Sequence, residues 1–105
     1  MKRLLIAASV PIVSICLLVG GASAAWAGSL GTYNGQGVNI RTGPSTGYPS
    51  LGEGSFGQYA CTYSAVVGQD INGDPYWDYN RNESTNVDGY SADAYMYPYY
   101  YSQGC

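Results

Sequence analysis

The sequence predicts a small all-β domain, a barrel or a sandwich, behind a cleaved N-terminal signal. Three observations predict it. Residues 1–27 have the three-part layout of an export signal. No later segment carries a helical 3.6-residue period of useful length. Short alternating runs recur instead, separated by glycine-rich turns about every ten residues.

The signal comes first. Lys2 and Arg3 form a short positive region, residues 4–20 are almost wholly apolar, and residues 21–27 are mostly small. Ala22-Ser23-Ala24 and Ala25-Trp26-Ala27 both fit the small-x-small rule for cleavage, and the domain boundary is placed after Ala27. A membrane anchor is disfavoured. The apolar run is about 17 residues, at the lower edge of spanning length, it contains Pro11, and no basic cluster follows it. Cys16 is not a lipidation site, because Ile15 precedes it and Leu17-Leu18-Val19 continue the run.

Residues 28–36 read as a flexible lead-in. Gly37-Val38-Asn39-Ile40-Arg41-Thr42 alternates apolar and polar, as a half-buried strand does. Residues 43–50 are a turn-rich loop around Gly43-Pro44, and Leu51 reads as part of a short strand before another turn at 53–57. Residues 58–63 predict a strand with Tyr59, Cys61 and Tyr63 on one face, which residues 66–71 either continue or follow. Asn72-Gly73 before Asp74-Pro75 is a hairpin signal, since Asn-Gly suits the positive-φ positions of a type I′ turn. Residues 76–80 and 87–91 predict further strands. Asp93-Ala94-Tyr95 reads as one helical turn, Met96-Tyr97 as a last short strand, and residues 98–105 as a tyrosine-rich tail tied by Cys105.

Composition bounds the partners. Residues 28–105 keep two arginines, Arg41 and Arg81, against seven acids and no lysine, a formal charge of −5. Counterion release from nucleic acid or anionic lipid needs clusters of Lys and Arg. Neither partner is expected, and no membrane contact is expected after cleavage. Aliphatic core material is thin: Leu30, Val38, Ile40, Leu51, Val66, Val67, Ile71 and Val87, with Phe56. All twelve tyrosines and Trp77 lie in the same part and can supply buried area. So thin a core calls for a staple. Cys61 and Cys105 are most simply one disulfide in an exported chain. Free thiols, or an intermolecular bridge through Cys105, are the alternatives.

Val38-Asn39-Ile40-Arg41-Thr42-Gly43-Pro44-Ser45-Thr46-Gly47-Tyr48 resembles the opening of bacterial Src homology 3-like (SH3b) domains. Tyr76-Trp77-Asp78-Tyr79 and Gly89-Tyr90-Ser91 fall where that family carries an aromatic-Trp strand and a Gly-Trp-Val element. The pairing of Cys61 with Cys105 is similar to an exported actinobacterial single-domain branch. The likeness covers residues 37–97. Tyr90 and Ser91 depart from the usual Trp and aliphatic residue. The resemblance implies an SH3-like β-barrel with a shallow aromatic groove beside the loop. It also implies a secreted, non-catalytic, monomeric module that binds cell-wall peptidoglycan by its stem peptide or glycan. Ligand-binding residues are then Asn39, Arg41, Tyr48, Tyr90 and Tyr95, with Arg41 as a carboxylate fork. Two other classes fit the composition: a self-associating surface protein driven by Tyr99-Tyr100-Tyr101, and a small secreted domain that binds or inhibits another protein.

Chemistry is sparse. Without histidine or lysine, residues 28–105 hold no Ser-His-Asp or Cys-His nucleophile. The remaining catalytic option is a carboxylate pair. The acids Asp70, Asp74, Asp78, Glu83, Asp88 and Asp93 read as ordinary solvated residues of turns and strand ends. Residues 70–74 place oxygens as a calcium loop does, but Pro75 and Arg81 stand where glycine and a bidentate acid belong. No metal, cofactor or enzymatic activity is expected. Asn82-Glu83-Ser84 matches the N-glycosylation triplet. Tyr59, Tyr63, Tyr79 and Trp77 read as core or cross-strand packing.

Overall fold

The computed structural model describes residues 28–105. The signal expected at residues 1–27 lies outside the described residues. Seven strands follow in chain order: β1 (Ser29–Tyr33), β2 (Val38–Arg41), β3 (Ser50–Gly54), β4 (Tyr59–Ile71), β5 (Asp74–Asn82), β6 (Val87–Ala92) and β7 (Met96–Tyr97). A single 3-10 turn (Asp93–Tyr95) separates the last two. They form one antiparallel sheet in the order β3-β2-β6-β5-β4-β1-β7. The all-β expectation holds.

The long β4–β5 hairpin forms where the sequence places a turn. Asn72 and Gly73 take φ of 55° and 88°, the left-handed values that residue pair tolerates. Asp70 Oδ1 accepts the Gly73 N–H at 2.8 Å and braces the turn. Residues 58–63 and 66–71 are a single strand, bent by a register shift between Thr62 and Ser64.

The lead-in reading of residues 28–36 is corrected. Residues 29–33 form β1, which pairs with β4 on one side and β7 on the other. Its glycine is required by packing rather than flexibility. Gly31 lies against the backbone of Tyr97 and Pro98, with no room for a Cβ. Tyr33 is fully buried at the centre of the core with Val38, Ile40, Ala60 and Met96, and Val87 closes the cluster. Its hydroxyl donates to Asn80 Oδ1 at 2.8 Å, so the buried phenol has a partner. Burial, the main cause, and the nearby Glu83 charge raise its pKa well above the ordinary tyrosine range.

The sheet curls on itself. The Tyr33 ring of β1 packs against Gly54 of β3 where a Cβ would clash, although those strands stand far apart in the sheet order. Asn82 of β5 reaches β3 and its turn, donating to Glu53 O at 3.3 Å and Gln58 Oε1 at 3.1 Å. Asn82 is itself fully buried, so the glycosylation triplet has its acceptor amide inside the fold.

Cys61 and Cys105 are joined by a disulfide, with Cα atoms 5.8 Å apart and a separation of 44 positions in sequence. A loop of that length gives about 4 kcal/mol in the chain-entropy picture. Backbone bonds support the tail: Leu30 N donates to Gln103 O, Tyr101 N to Leu30 O and Cys105 N to Gly28 O.

The tyrosines divide. Trp77 is buried, and Tyr63, Tyr79 and Tyr90 stack across β4, β5 and β6 with ring centres 6.1 and 5.1 Å apart. Tyr59 and Tyr63 stay half exposed while Cys61 between them is fully buried. The tail folds over the sulfur and leaves the Tyr59 ring outside, edge-on to Tyr101 at 4.9 Å.

Candidate functional site

Strand alternation builds the groove side of the sheet. Val38 and Ile40 are buried while Asn39 and Arg41 face outward, as period two requires. Pro44 and the residues around it then carry the chain away from β2 in a loop over residues 42–49.

That loop is strapped down rather than free. Arg41 Nη1 donates to Tyr48 O at 3.0 Å and to Thr46 O at 3.4 Å. Gln69, near the tip of the β4–β5 hairpin, accepts from both Thr46 N and Thr46 Oγ1 at 2.8 Å. The Gln69 N–H donates to Pro44 O, and the Trp77 indole N–H donates to Gln69 O at 2.8 Å. Gly68 makes this approach possible, because a Cβ there would strike Pro44 and press on the Trp77 ring.

Between the strapped loop, the 34–37 turn and the 3-10 turn lies a cavity of about 270 Å³. Asn39, Arg41 and Tyr95, three of the residues expected at a ligand site, line it together. Asn34, Gln36, Thr46 and the edge of Trp77 complete the wall. Tyr48 and Tyr90 do not line it. The Tyr48 ring lies on Gly43, where no Cβ fits, and Tyr90 packs on Tyr79 on the open sheet face. Gln69 and Trp77 hold the loop, and sequence reasoning missed that role. The signal was Trp77 after the hairpin, whose burial implies a partner for the indole N–H.

The carboxylates depart from expectation. Asp78 is 2% exposed, not a solvated strand-end acid. Its neighbour Trp77 lines the groove, so alternation turns Asp78 to the other side of β5. There its carboxyl meets that of Asp93, and Asp93 in turn meets that of Asp74. Burial, then the hydrogen bond to Asp93 and the charges of Asp93 and Asp74, push Asp78 up to about 8. Burial also raises Asp93. Asp74 is lowered by its bond from Asp93 and by the Tyr76 N–H at 2.9 Å.

No protein-family model matches the chain, and neither a curated protein nor a solved structure matches it. Among the described residues, no helix is long and apolar enough to cross a membrane.

Proposed function

We propose that the chain is an exported, non-catalytic binding module with an SH3-like barrel, which takes peptidoglycan stem peptide or glycan in the groove beside the 42–49 loop. The observation that carries this reading is the gathering of Asn39, Arg41 and Tyr95 around one cavity against a fixed loop. Arg41 spends Nη1 on the loop and keeps Nε and Nη2 for a ligand carboxylate. Tyr95 offers a rigid ring with a polar tip, suited to a sugar face or a short peptide. Pre-organisation helps, because a loop already held by five hydrogen bonds loses little entropy on binding. The segments that carry the resemblance are strands: Val38 to Arg41 is β2, the Tyr76-Trp77 pair is on β5 and Gly89-Tyr90-Ser91 is on β6.

A non-catalytic reading is supported by the acids themselves. Glycoside hydrolysis needs two carboxyls about 5–9.5 Å apart, flanking a sugar bond. Asp78 and Asp93 instead lie close enough for one carboxyl to bond the other.

Retention on purified sacculi is the test. Wild type should be retained, and an Arg41→Ala, Tyr95→Ala double variant should lose most of it, while Tyr90→Ala keeps it. Equal retention of wild type and the double variant would sink this site.

One observation favours a second reading, self-association at a surface. Phe56, Tyr97 and Tyr100 form a cluster of half-exposed rings with centres 5.6–6.3 Å apart, and Tyr101 continues it at 5.0 Å. Exposed aromatic patches of this kind mark association surfaces. Concentration-dependent sedimentation that disappears in Tyr97→Ser, Tyr100→Ser protein supports it. A monomer at all concentrations rejects it.

A further inference from the structure

On the other side of β5 from the groove lies a second cavity, of about 450 Å³. Asp78, Asp93 and Thr62 are its polar wall, and Tyr63, Tyr76 and Tyr99 are its aromatic rim. Two buried oxygens of that wall, Asp78 Oδ2 and Thr62 Oγ1, receive no donor from the described residues. A buried polar atom without a partner costs free energy and calls for an explanation.

The charge balance sharpens the question. Asp78 of β5 and Asp93 of the 3-10 turn meet there, and Asp74 of β5 bonds Asp93 from outside the cavity wall. The other titratable groups around the cavity are the phenols of Tyr63 on β4, Tyr76 on β5 and Tyr99 in the tail. No cationic side chain of residues 28–105 reaches it. Arg41 is bonded to Thr46 and Tyr48, Arg81 pairs with Asp88 at 3.1 Å, and there is no lysine or histidine. The carboxyls can bond one another only while a proton stays among them, which fits the upward shift of Asp78.

We propose that this cavity is a primary-ammonium site, in which Asp78 and Asp93 supply the carboxylates, Thr62 a hydroxyl acceptor and the tyrosine rims π-faces for a –CH₂–NH₃⁺ group. An ammonium carries three donors, enough for the two unpartnered oxygens and a carboxylate oxygen of Asp93, and its charge replaces the retained proton. A metal ion fits less well. Among the described residues, no set of three His, Cys, Asp or Glu is arranged to hold one, and the volume suits an organic group.

Two sources carry this chemistry. One is an amine-bearing ligand. The other is the chain itself, because Gly28 also lines the cavity and its carbonyl is held by the Cys105 N–H at 3.1 Å. Cleavage after Ala27 frees an α-ammonium there, the only primary amine in residues 28–105. The site does not depend on the groove reading.

The test uses the exported protein with its disulfide intact. In one arm the lone α-amino group is acetylated. In the other the protein is titrated with Nα-acetyl-lysine amide and with its Nε-acetylated form, following the Asp carboxyl resonances. If the chain fills its own site, acetylation lowers Tm in wild type and is silent in Asp78→Asn and Asp93→Asn. If a ligand fills it, the lysine amide saturates with proton release, the Nε-acetylated form does not bind, and either Asn variant weakens binding by roughly tenfold or more. Asp88→Asn is the folded control and changes neither arm. The proposal is overturned if acetylation is silent in wild type and the lysine amide produces no saturable shift. It is equally overturned if binding survives in both Asn variants, or if Ca²⁺ saturates the site and the amine does not.

Discussion

Two cavities share the same two short segments and have opposite chemistry. Trp77 and Tyr95 serve the groove; Asp78 and Asp93, one and two residues away, serve the acid cavity. In the groove the donors and acceptors of the strapped loop meet within the protein, around a single arginine. In the acid cavity, carboxyls face one another without a counter-charge. The difference teaches that burial alone does not make a finished core. The alternation that places an indole on one side of β5 places a carboxyl on the other, and only one side is internally satisfied.

The disulfide separates the two regions most strongly. It lies beside Gly28 at the acid-cavity end, since a Cβ on Gly28 would meet the Cys61 sulfur. A Cys61→Ser, Cys105→Ser variant is expected to lose about 2–5 kcal/mol in denaturant unfolding. Hydrogen exchange should quicken first at β1 and residues 98–105, and later at β2 and the 42–49 loop. Uniform loss of protection would erase the contrast.

Titration of Nα-acetylated protein, with no amine in the acid cavity, gives the next effect. Asp78 is raised from the usual carboxylate range to about 8, so between those limits the folded state keeps a proton that the unfolded chain has released. Stability contributed by that proton is full at low pH and falls as pH rises toward 8. The slope reaches up to about 1.4 kcal/mol per pH unit for one full proton. Asp78→Asn should flatten the fall and raise Tm near pH 8. A wild-type melting profile that is level or rises from pH 5 to 8 contradicts this.

Smaller effects mark the groove. Gln69→Ala removes two bonds to Thr46 and should cost about 1–2 kcal/mol. Faster exchange should be confined to the loop, and sacculus retention should drop while the carboxyl resonances of Asp78 and Asp93 stay put. Movement of those resonances would show the two cavities to be coupled through β5.

Much of the frame was legible where local rules decide. Val38 to Arg41 shows its alternation, Asn72-Gly73 its turn, and Asp93-Ala94-Tyr95 its single helical turn. Residues 29–33 were not legible, because Gly28 before the strand and Gly31 within it disguise a strand whose Gly31 answers to a distant backbone. Tyr33 was hidden for the same reason: a phenol at the core centre depends on Asn80, 47 residues away. Leu51, Phe56 and Val67, counted as core material, are about half exposed or more, since the curled sheet turns them outward. Around the groove cavity, Asn39, Arg41 and Tyr95 were named through the resemblance rather than through any local rule. Asp78 was not legible, because its burial is imposed by the covering 3-10 turn and tail.

Carbon-detected titration of the Asp78 and Asp93 side-chain carboxyls in disulfide-bonded residues 28–105, Nα-acetylated and with no amine added, tests the contrast most directly. The account requires Asp78 to remain protonated at neutral pH and to release its proton only near pH 8. Asp78 ionising near pH 4, like a solvated aspartate, would contradict it.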